Sequence, residues 1–281
     1  MIPANFEYES PRSLNEALDL LASRTDAKVL AGGHSLLPAM KLRLAQPATL
    51  IDIGRISGLS YIREAGDRIA IGAMTTHADI AKSEMLLKSS PLLALAAAQI
   101  GDTQVRNRGT IGGSLAQAHP AADYPAAVLA LDAEIVAHSR SGERVIPASK
   151  FFDGMFATAL RPDEILTEVR VPKTLGERVA YKKFHHPASG YAVVGVAVRL
   201  KLSGTKIDSA AVGITGVSHI AYRATAVEDA LRGKATSAVE EAANHAADGV
   251  DAIGDTFASA EYRKHLASVM TKRTLAEAMG D

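Results

Sequence analysis

Two short segments of the chain combine glycine with hydroxyl side chains, a composition that suits contact with an oxyanion. The first is Ala31–Ser35, with the sequence AGGHS, and the second is Asn107–Ser114, with the sequence NRGTIGGS. Backbone without Cβ atoms can turn through positive φ and approach a ligand closely, so that its N–H groups converge on an oxyanion. Two such segments together predict a clamp for a diphosphate. The alternative is that each is only a tight turn between strands.

One carboxylate stands out downstream of the second glycine segment. Asp123 lies nine residues beyond Ser114 and between Pro120 and Pro125, which restrict the local backbone. A carboxylate at such a position can accept hydrogen bonds from the ribose hydroxyls of a nucleotide. The same residue type is also favoured at the N-cap of a helix, and the sequence leaves both interpretations open.

Basic side chains near the glycine segments extend this chemistry. His34 can donate a hydrogen bond to a phosphate, and Arg106 and Arg108 can offset diphosphate charge, although each can equally face solvent. No metal site is predicted, because the histidines form neither an i, i+4 pair nor an H-E-x-x-H pattern. No Ser/His/Asp triad is indicated, and the absence of a G-x-S-x-G elbow disfavours a hydrolase.

Charge and cysteine content narrow the function classes further. The 31 Lys and Arg residues balance 31 Asp and Glu residues, so the basic excess needed to bind nucleic acid is missing. The chain contains no cysteine, which excludes a disulfide scaffold, a catalytic thiol and a cysteine-ligated iron–sulfur cluster of its own. The G-x-G-x-x-G and G-x-x-x-x-G-K-[ST] patterns are also absent, which disfavours a Rossmann domain and an NTPase. A redox function would therefore need an organic cofactor.

The elements that must position these residues follow from periodicity and capping signals. Ser13–Glu16 is a capping box that predicts a helix, and Lys28–Ala31 is a strand that delivers the first glycine segment. From Gly58 onward we predict a β-hairpin, an apolar helix at Leu92–Ile100 that runs into the second glycine segment, and further strands. After these come three antiparallel strands and then helices. The three strands are Val179–Phe184, Ala192–Leu202 and Ile207–Val217.

The predicted fold class is α+β with two domains. The linker-like composition of Pro172–Glu177 places the boundary so that residues 1–175 form the first domain and residues 176–281 the second. From about Gly58 the pattern changes to short strand candidates, which divides the first domain into subdomains of about 1–57 and 58–175. No signal peptide is recognised, and the apolar stretches fall short of the ~20 residues that span a bilayer. We therefore expect a cytoplasmic protein without a membrane span.

Four motifs in fixed order give the chain a specific likeness. They are Ala31–Pro38, Arg108–Ser114, Pro120–Asp123 and Lys183–Ala192. In these motifs the chain resembles the FAD-binding medium subunits of molybdenum hydroxylases, and it is most similar to the carbon monoxide dehydrogenase medium-subunit group. That group is related to the flavin domain of xanthine dehydrogenase. The likeness covers essentially the whole chain.

The resemblance implies that FAD lies between a two-subdomain domain of the PCMH type and the C-terminal domain with its three-stranded sheet. It assigns the diphosphate and its neighbourhood to the two glycine segments, the adenosine portion to Asp123, and the border of the isoalloxazine to Lys183 and Tyr191. Ser114 stands where asparagine is common, and its shorter side chain reaches less far. The implied cofactor contacts are Val29, Leu30, Ala31, Gly32, Gly33, His34, Ser35, Leu36, Ile100, Thr110, Ile111, Gly112, Gly113, Ser114, Asp123, Leu166, Lys183 and Tyr191.

The resemblance also implies partners, in a dimer of heterotrimers. Relatives oxidise their substrate at a molybdenum–pterin centre on a large subunit and pass electrons through two [2Fe–2S] clusters of a small subunit to FAD. Since this chain has no cysteine, it would have to receive those electrons from a partner. No catalytic residue is expected here, because the large subunit selects the substrate, and the terminal acceptor can be a quinone, oxygen, NAD or a carrier protein.

Two alternatives stay open at this point. One is a self-sufficient FAD-dependent oxidase of the same superfamily, in which His34 would be a covalent flavin anchor. The other is a cofactor-free interaction subunit, which would leave both glycine segments without a purpose.

Overall fold

The N-terminal part of the chain forms a three-stranded parallel sheet of order β1-β3-β2 in the computed structural model, which describes residues 1–280. Its elements are β1 (Glu7–Glu9), α1 (Leu14–Ser23), β2 (Ala27–Leu30), α2 (Leu36–Lys41) and β3 (Thr49–Asp52). The predicted cap is confirmed, because the Ser13 hydroxyl accepts from the Glu16 N–H at 3.2 Å. The Glu16 carboxylate accepts from the Arg12 N–H, one residue before the position that the capping box predicts. The first glycine segment joins β2 to α2.

A second, five-stranded antiparallel sheet has the order β4-β5-β10-β6-β7. The elements of this region, in chain order, are β4 (Ile62–Ala65), β5 (Arg68–Gly72), α3 (His77–Lys82), α4 (Glu84–Ser89), α5 (Pro91–Ala98), α6 (Thr103–Arg108), α7 (Ile111–Gln117), α8 (Asp123–Ala130), β6 (Glu134–Ser139), β7 (Gly142–Pro147), β8 (Phe152–Gly154), β9 (Ala157–Thr158) and β10 (Ile165–Pro172). The predicted hairpin is β4–β5, and the buried helices α5 and α8 pack against each other. Their apolar residues belong to the largest core of the molecule.

The second glycine segment is the main departure from the predicted local structure. Residues 111–114 form the first turn of α7 and not a loop, and α6 separates them from the apolar helix α5. Thr110 is the N-cap of α7, and its hydroxyl accepts from the Gly113 N–H at 3.1 Å. This cap offsets the low helix propensity of two glycines. A Cβ added at Gly112 would lie only 2.5 Å from the Ala73 Cβ, so the glycine is needed for close packing.

The C-terminal part is a four-stranded antiparallel sheet covered by helices. Its elements are β11 (Arg178–His185), β12 (Ala192–Ser203), β13 (Lys206–Thr215), β14 (Tyr222–Arg223), α9 (Thr225–Leu231), α10 (Val239–Ala242) and α11 (Ala260–Met279). The three predicted strands and their antiparallel pairing are confirmed. The prediction of a three-stranded sheet missed β14, because a strand of two residues leaves no alternation to detect.

The two parts share a continuous core through α8, which lies against β12 and β13. Tyr181, Ala197 and Ala211 from the C-terminal sheet belong to the same hydrophobic cluster as the residues of α8. A Cβ added at Gly213 would lie 2.1 Å from the carbonyl oxygen of Ala126, so β13 and α8 are in backbone contact. Within residues 1–280, no helix has both the length and the apolar character that crossing a membrane requires.

The contact between β13 and α8 can be tested by adding one methyl group. We expect Gly213→Ala to lower the free energy of unfolding by about 3 kcal/mol, because a backbone carbonyl cannot move aside as a flexible side chain can. Gly204→Ala is the matched control: its φ is +60°, and among the described residues nothing lies within 4 Å of an added Cβ. It should lose only about 1 kcal/mol through backbone strain. Urea unfolding measures both values, and equal losses would contradict the described packing.

Candidate functional site

The two glycine segments lie directly against each other. A Cβ added at Gly32 would be 2.2 Å from the carbonyl oxygen of Arg108 and 2.9 Å from the Cα of Gly109. A Cβ at Gly113 would be 3.4 Å from that of Ala31. The backbones of the two segments are therefore in direct contact. This contact is possible only because Gly32 has no side chain. The structure thus brings together the two motifs that the sequence singled out, although they are far apart in the chain.

The first glycine segment presents a run of free backbone donors. In the part of the chain that the structure describes, the N–H groups of residues 32–36 have no acceptor. Gly33 adopts φ +77°, a left-handed conformation in which the chain reverses between β2 and α2. The Gly32 carbonyl is occupied by Nδ1 of His34 at 3.1 Å, which ties that side chain to the segment. A series of N–H groups without acceptors, half-buried except at the exposed His34, is suited to an anionic ligand.

The second glycine segment contributes differently, because the N–H groups of its residues 111–114 are already paired. Ile111 donates to the Thr75 carbonyl at 3.1 Å and Gly112 to the Ala73 carbonyl at 2.9 Å. Gly113 donates to the Thr110 hydroxyl, and Ser114 donates to the Thr110 carbonyl. Gly113 and Ser114 are the half-buried residues of this turn and offer a surface without bulky side chains, while the donors come from the first segment.

A neutral histidine lies beneath both segments. His77 is 4% exposed, its Nδ1 lies 3.2 Å from the Tyr124 hydroxyl, and its backbone N–H donates to the Gly109 carbonyl. A Cβ added at Gly109 would be 2.5 Å from Nε2 of His77. Burial lowers the pKa of His77 from 6.5 to about 4, and the charges of His34 and Arg106 act in the same direction. The ring is therefore uncharged near neutral pH and supports the backbone by packing.

The two arginines near the second segment have distinct positions. Arg106 is half-buried, and its Nη1 donates to the carbonyls of Ile100 at 2.9 Å and Gly101 at 3.2 Å. It therefore fixes the turn between α5 and α6, which carries Ile100. Arg108 is exposed at the end of α6 and remains available to offset negative charge.

Asp123 and Lys183 form a buried ion pair behind the glycine segments. Nζ of Lys183 lies 2.8 Å from Oδ1 of Asp123, and the two side chains are 0% and 3% exposed. The Tyr181 hydroxyl donates to the same carboxylate at 2.6 Å, and Lys183 also donates to the Gly190 carbonyl at 2.8 Å. Burial raises the pKa of Asp123, while Lys183 and Tyr181 oppose that rise. The carboxylate is thus fully engaged inside the protein.

This arrangement bears on both sequence-based interpretations of Asp123. It is the first residue of α8, whose N-cap is Ala122 without a side-chain cap, so the N-cap interpretation is wrong. A contact between its carboxylate and a nucleotide stays a prediction that the internal pairing does not favour. The pair instead links α8 to β11 and to the segment before Tyr191.

Tyr191 reaches the first glycine segment from the C-terminal part. Its ring is stacked on that of His119, with centroids 4.2 Å apart and planes inclined by 12°. Burial raises the pKa of Tyr191, and the neighbouring Ser35 hydroxyl opposes that rise, which places the phenol beside residues 32–36. Its backbone carbonyl accepts from the His186 N–H at 2.8 Å. The aromatic ring that the sequence favoured therefore borders the site.

The remaining predicted contacts are supporting positions. Leu30 and Leu166 are 9% and 5% exposed and belong to the cores beside the site, while Val29 and Ile100 are half-buried. No cluster of metal-ligating side chains occurs within residues 1–280. The sequence interpretation missed the contribution of His77 and of His119. No local spacing could have found them, because their partners Tyr124 and Tyr191 are distant in the chain.

Comparison with protein families places this site in context. Residues 4–174 match the family described as FAD binding domain in molybdopterin dehydrogenase, and residues 179–278 match the CO dehydrogenase flavoprotein C-terminal domain. The carbon monoxide dehydrogenase medium chain of Hydrogenophaga pseudoflava is 44% identical over 98% of this chain and 97% of that protein. The nicotine 6-hydroxylase medium subunit of Paenarthrobacter nicotinovorans is 38% identical over 99% of this chain and 98% of that one.

Solved structures show the same relationship. The carbon monoxide dehydrogenase structure from Hydrogenophaga pseudoflava superposes with a TM-score of 0.96 at 44% identity, covering 99% of both chains. Quinoline 2-oxidoreductase from Pseudomonas putida 86 superposes with a TM-score of 0.95 at 32% identity, covering 100% of this chain and 99% of that one. The expected fold and resemblance are confirmed.

The neutral state of His77 predicts a pH dependence of stability. Between pH 6.5 and about 4 the unfolded chain binds a proton on this residue that the folded chain does not, so stability falls as the pH falls. A shift of this size corresponds to about 3 kcal/mol. We expect His77→Gln to remove that part of the decrease, whereas His219→Gln, at an exposed histidine, should keep it. Unfolding free energies measured at both pH values test this, and an unchanged pH profile in His77→Gln would contradict it.

Proposed function

Because this chain belongs to the family of FAD-binding medium subunits of the molybdenum hydroxylases, we propose that it carries electrons from a partner to an external acceptor through bound FAD. The chain itself would convert no metabolite. FAD, when bound, supplies the electron exchange, and the protein supplies binding, orientation and electrostatics. We also propose the domain boundary at residues 175–176, with subdomains of about 1–57 and 58–175.

The run of free N–H groups at residues 32–36 is the observation that carries this proposal. In our proposal these groups donate to the diphosphate of FAD, and His34 and Ser35 extend the polar surface. The bare backbone of Gly32 and Gly113 lets the diphosphate lie against both segments. Residues 29–31 and 110–114 would complete the wall around it. The residues present therefore fit the cofactor, because they combine donors with an absence of steric bulk.

Around the isoalloxazine we assign different roles to the predicted residues. Tyr191 borders the ring directly, since its phenol lies beside the first glycine segment. Lys183 and Asp123 act on the cofactor through Tyr191, because Lys183 holds the Gly190 carbonyl and is paired with Asp123. Ile100 contacts the cofactor from the turn that Arg106 fixes. Leu166 supports the site from β10.

In our proposal the electrons come from another chain. This sequence has no cysteine and cannot ligate an iron–sulfur cluster through thiolates. Several relatives bear names that describe them as medium chains or as subunits of a complex, such as the 6-hydroxypseudooxynicotine dehydrogenase complex subunit alpha of Paenarthrobacter nicotinovorans. We propose that this chain assembles with a large molybdopterin-binding subunit and a small [2Fe–2S] subunit, as a dimer of heterotrimers.

The contact between the two glycine segments predicts the behaviour of one variant. In Gly32→Ala the new Cβ would meet the Arg108 carbonyl at 2.2 Å and force the segments apart. We expect FAD affinity to fall by at least about tenfold, because the donors no longer converge. Gly142→Ala at the start of β7 is the control: its φ of +124° strains an alanine as well, but among the described residues nothing lies within 4 Å of the added Cβ. Equilibrium dialysis of FAD against the assembled complex measures both, and unchanged affinity in Gly32→Ala would contradict the placement.

Purification of the complex from its source tests the function as a whole. We expect flavin absorption, release of FAD on acid precipitation, and bleaching of the flavin bands by substrate only when the partner chains are present. Flavin that stays on the precipitated protein, or substrate turnover by this chain alone, would favour the self-sufficient oxidase. A complex without flavin under FAD-replete conditions would favour an inert interaction subunit.

A further inference from the structure

We propose that His119 is the positioning residue that sets the ring plane of Tyr191 at the cofactor site. The inference rests on the proposed function, because it concerns how Tyr191 is presented to FAD. His119 lies just after α7, whereas Tyr191 comes from the segment between β11 and β12. The stack therefore connects the end of the glycine-bearing helix with the C-terminal part of the molecule.

The geometry of the three rings is the first argument. His119 and Tyr191 are stacked at 4.2 Å with an interplanar angle of 12°. Phe156 packs its ring against His119 at 5.2 Å with an angle of 79°. Offset-stacked and edge-to-face contacts are the two favoured arrangements of aromatic rings. Because Phe156 restrains His119 independently of Tyr191, the stack passes the plane of His119 on to Tyr191.

Backbone strain on both sides of His119 is the second argument. Ala118 and Phe156 adopt φ values of 47° and 57°, a left-handed conformation that is unfavourable for residues with a Cβ. The Phe156 N–H donates to the Ala118 carbonyl at 3.3 Å, which joins the two strained positions. Such strain persists where the surrounding structure determines it, and it is concentrated at functional sites. Here it places the exposed Phe156 ring against His119.

The imidazole of His119 is itself fixed. Its Nδ1 accepts from the Ala121 N–H at 3.0 Å, so the proton of the neutral ring lies on Nε2. Burial lowers the pKa of His119, which keeps the ring uncharged near neutral pH. A neutral, oriented ring is suited to parallel stacking on a phenol. The hydrogen bond from Ala121 and the stack on Tyr191 involve different features of the His119 ring, so substitutions can remove one and keep the other.

Other contacts of Tyr191 restrain its backbone and hydroxyl, and they complement His119. Lys183 holds the Gly190 carbonyl, and the His186 N–H donates to the Tyr191 carbonyl. Ser35 lies beside the phenol hydroxyl. None of these contacts fixes the rotation of the Tyr191 ring about its long axis. The stacked imidazole of His119 restrains that rotation.

Two substitutions separate the ring from the hydrogen bond. His119→Gln keeps an acceptor for the Ala121 N–H but removes the aromatic face, whereas His119→Phe keeps the face and removes the acceptor. In the FAD-loaded complex we expect His119→Gln to change the visible circular dichroism of the flavin and to weaken FAD binding by about 3- to 10-fold. His119→Phe should resemble the unsubstituted complex. The opposite order, with Gln neutral and Phe impaired, would show a purely structural hydrogen bond and overturn the proposal.

A double-substitution cycle tests whether the effect passes through Tyr191. We expect His119→Gln to have no further effect on FAD affinity or flavin dichroism when Tyr191→Ala is already present. An effect of the same size in both backgrounds would overturn the proposal. Thermal unfolding of each complex identifies any general loss of structure. A complex without FAD before substitution contradicts the proposed function, whereas normal FAD content with an unaltered His119→Gln variant contradicts only the role of His119.

Discussion

The site depends on one constraint, namely that backbone N–H groups require acceptors. In most of this fold, strands and helices satisfy them, and even the glycines of α7 are paired within the chain. Residues 32–36 are different, because the chain reverses there between β2 and α2 and, within residues 1–280, their N–H groups have no protein acceptor. The rest of the site holds that reversal in place. Gly32 packs on the backbone at Arg108, and His77 supports Gly109 from below.

A second constraint couples this site to the C-terminal sheet. A buried ion pair is expensive to desolvate, and it is retained when its geometry satisfies both partners. Lys183 meets that condition by bonding to Asp123 and to the Gly190 carbonyl at once. The pair thereby connects α8 with the segment that presents Tyr191. The ion pair and the shared core therefore both fix the position of the glycine segments relative to Tyr191.

Local signals predicted much of the fold. The cap at Ser13, the β4–β5 hairpin and the three long C-terminal strands follow from patterns within a few residues. The helix at residues 111–117 was missed, because two glycines lower helix propensity and the decisive factors are the Thr110 cap and the close approach to Ala73.

The sequence indicated which residues form the candidate site, but it indicated less well what each residue does there. The glycine segments were predicted from their composition, and Lys183 and Tyr191 from the family resemblance. Which segment has unpaired N–H groups depends on hydrogen bonds that no motif shows. Asp123 was a candidate site residue because it is a carboxylate between two prolines. Its partner in the structure is Lys183, sixty positions away in the chain. The stack of His119 on Tyr191 likewise joins distant residues. Such contacts arise only when the two domains are assembled.

Amide hydrogen exchange with and without FAD, measured residue by residue in the assembled complex, tests the central claim most directly. If residues 32–36 hold the diphosphate, their amides should exchange much more slowly when FAD is bound, while those of residues 111–114 should change little because they are already bonded within the protein. FAD bound at full occupancy with unchanged exchange at residues 32–36 would contradict the account.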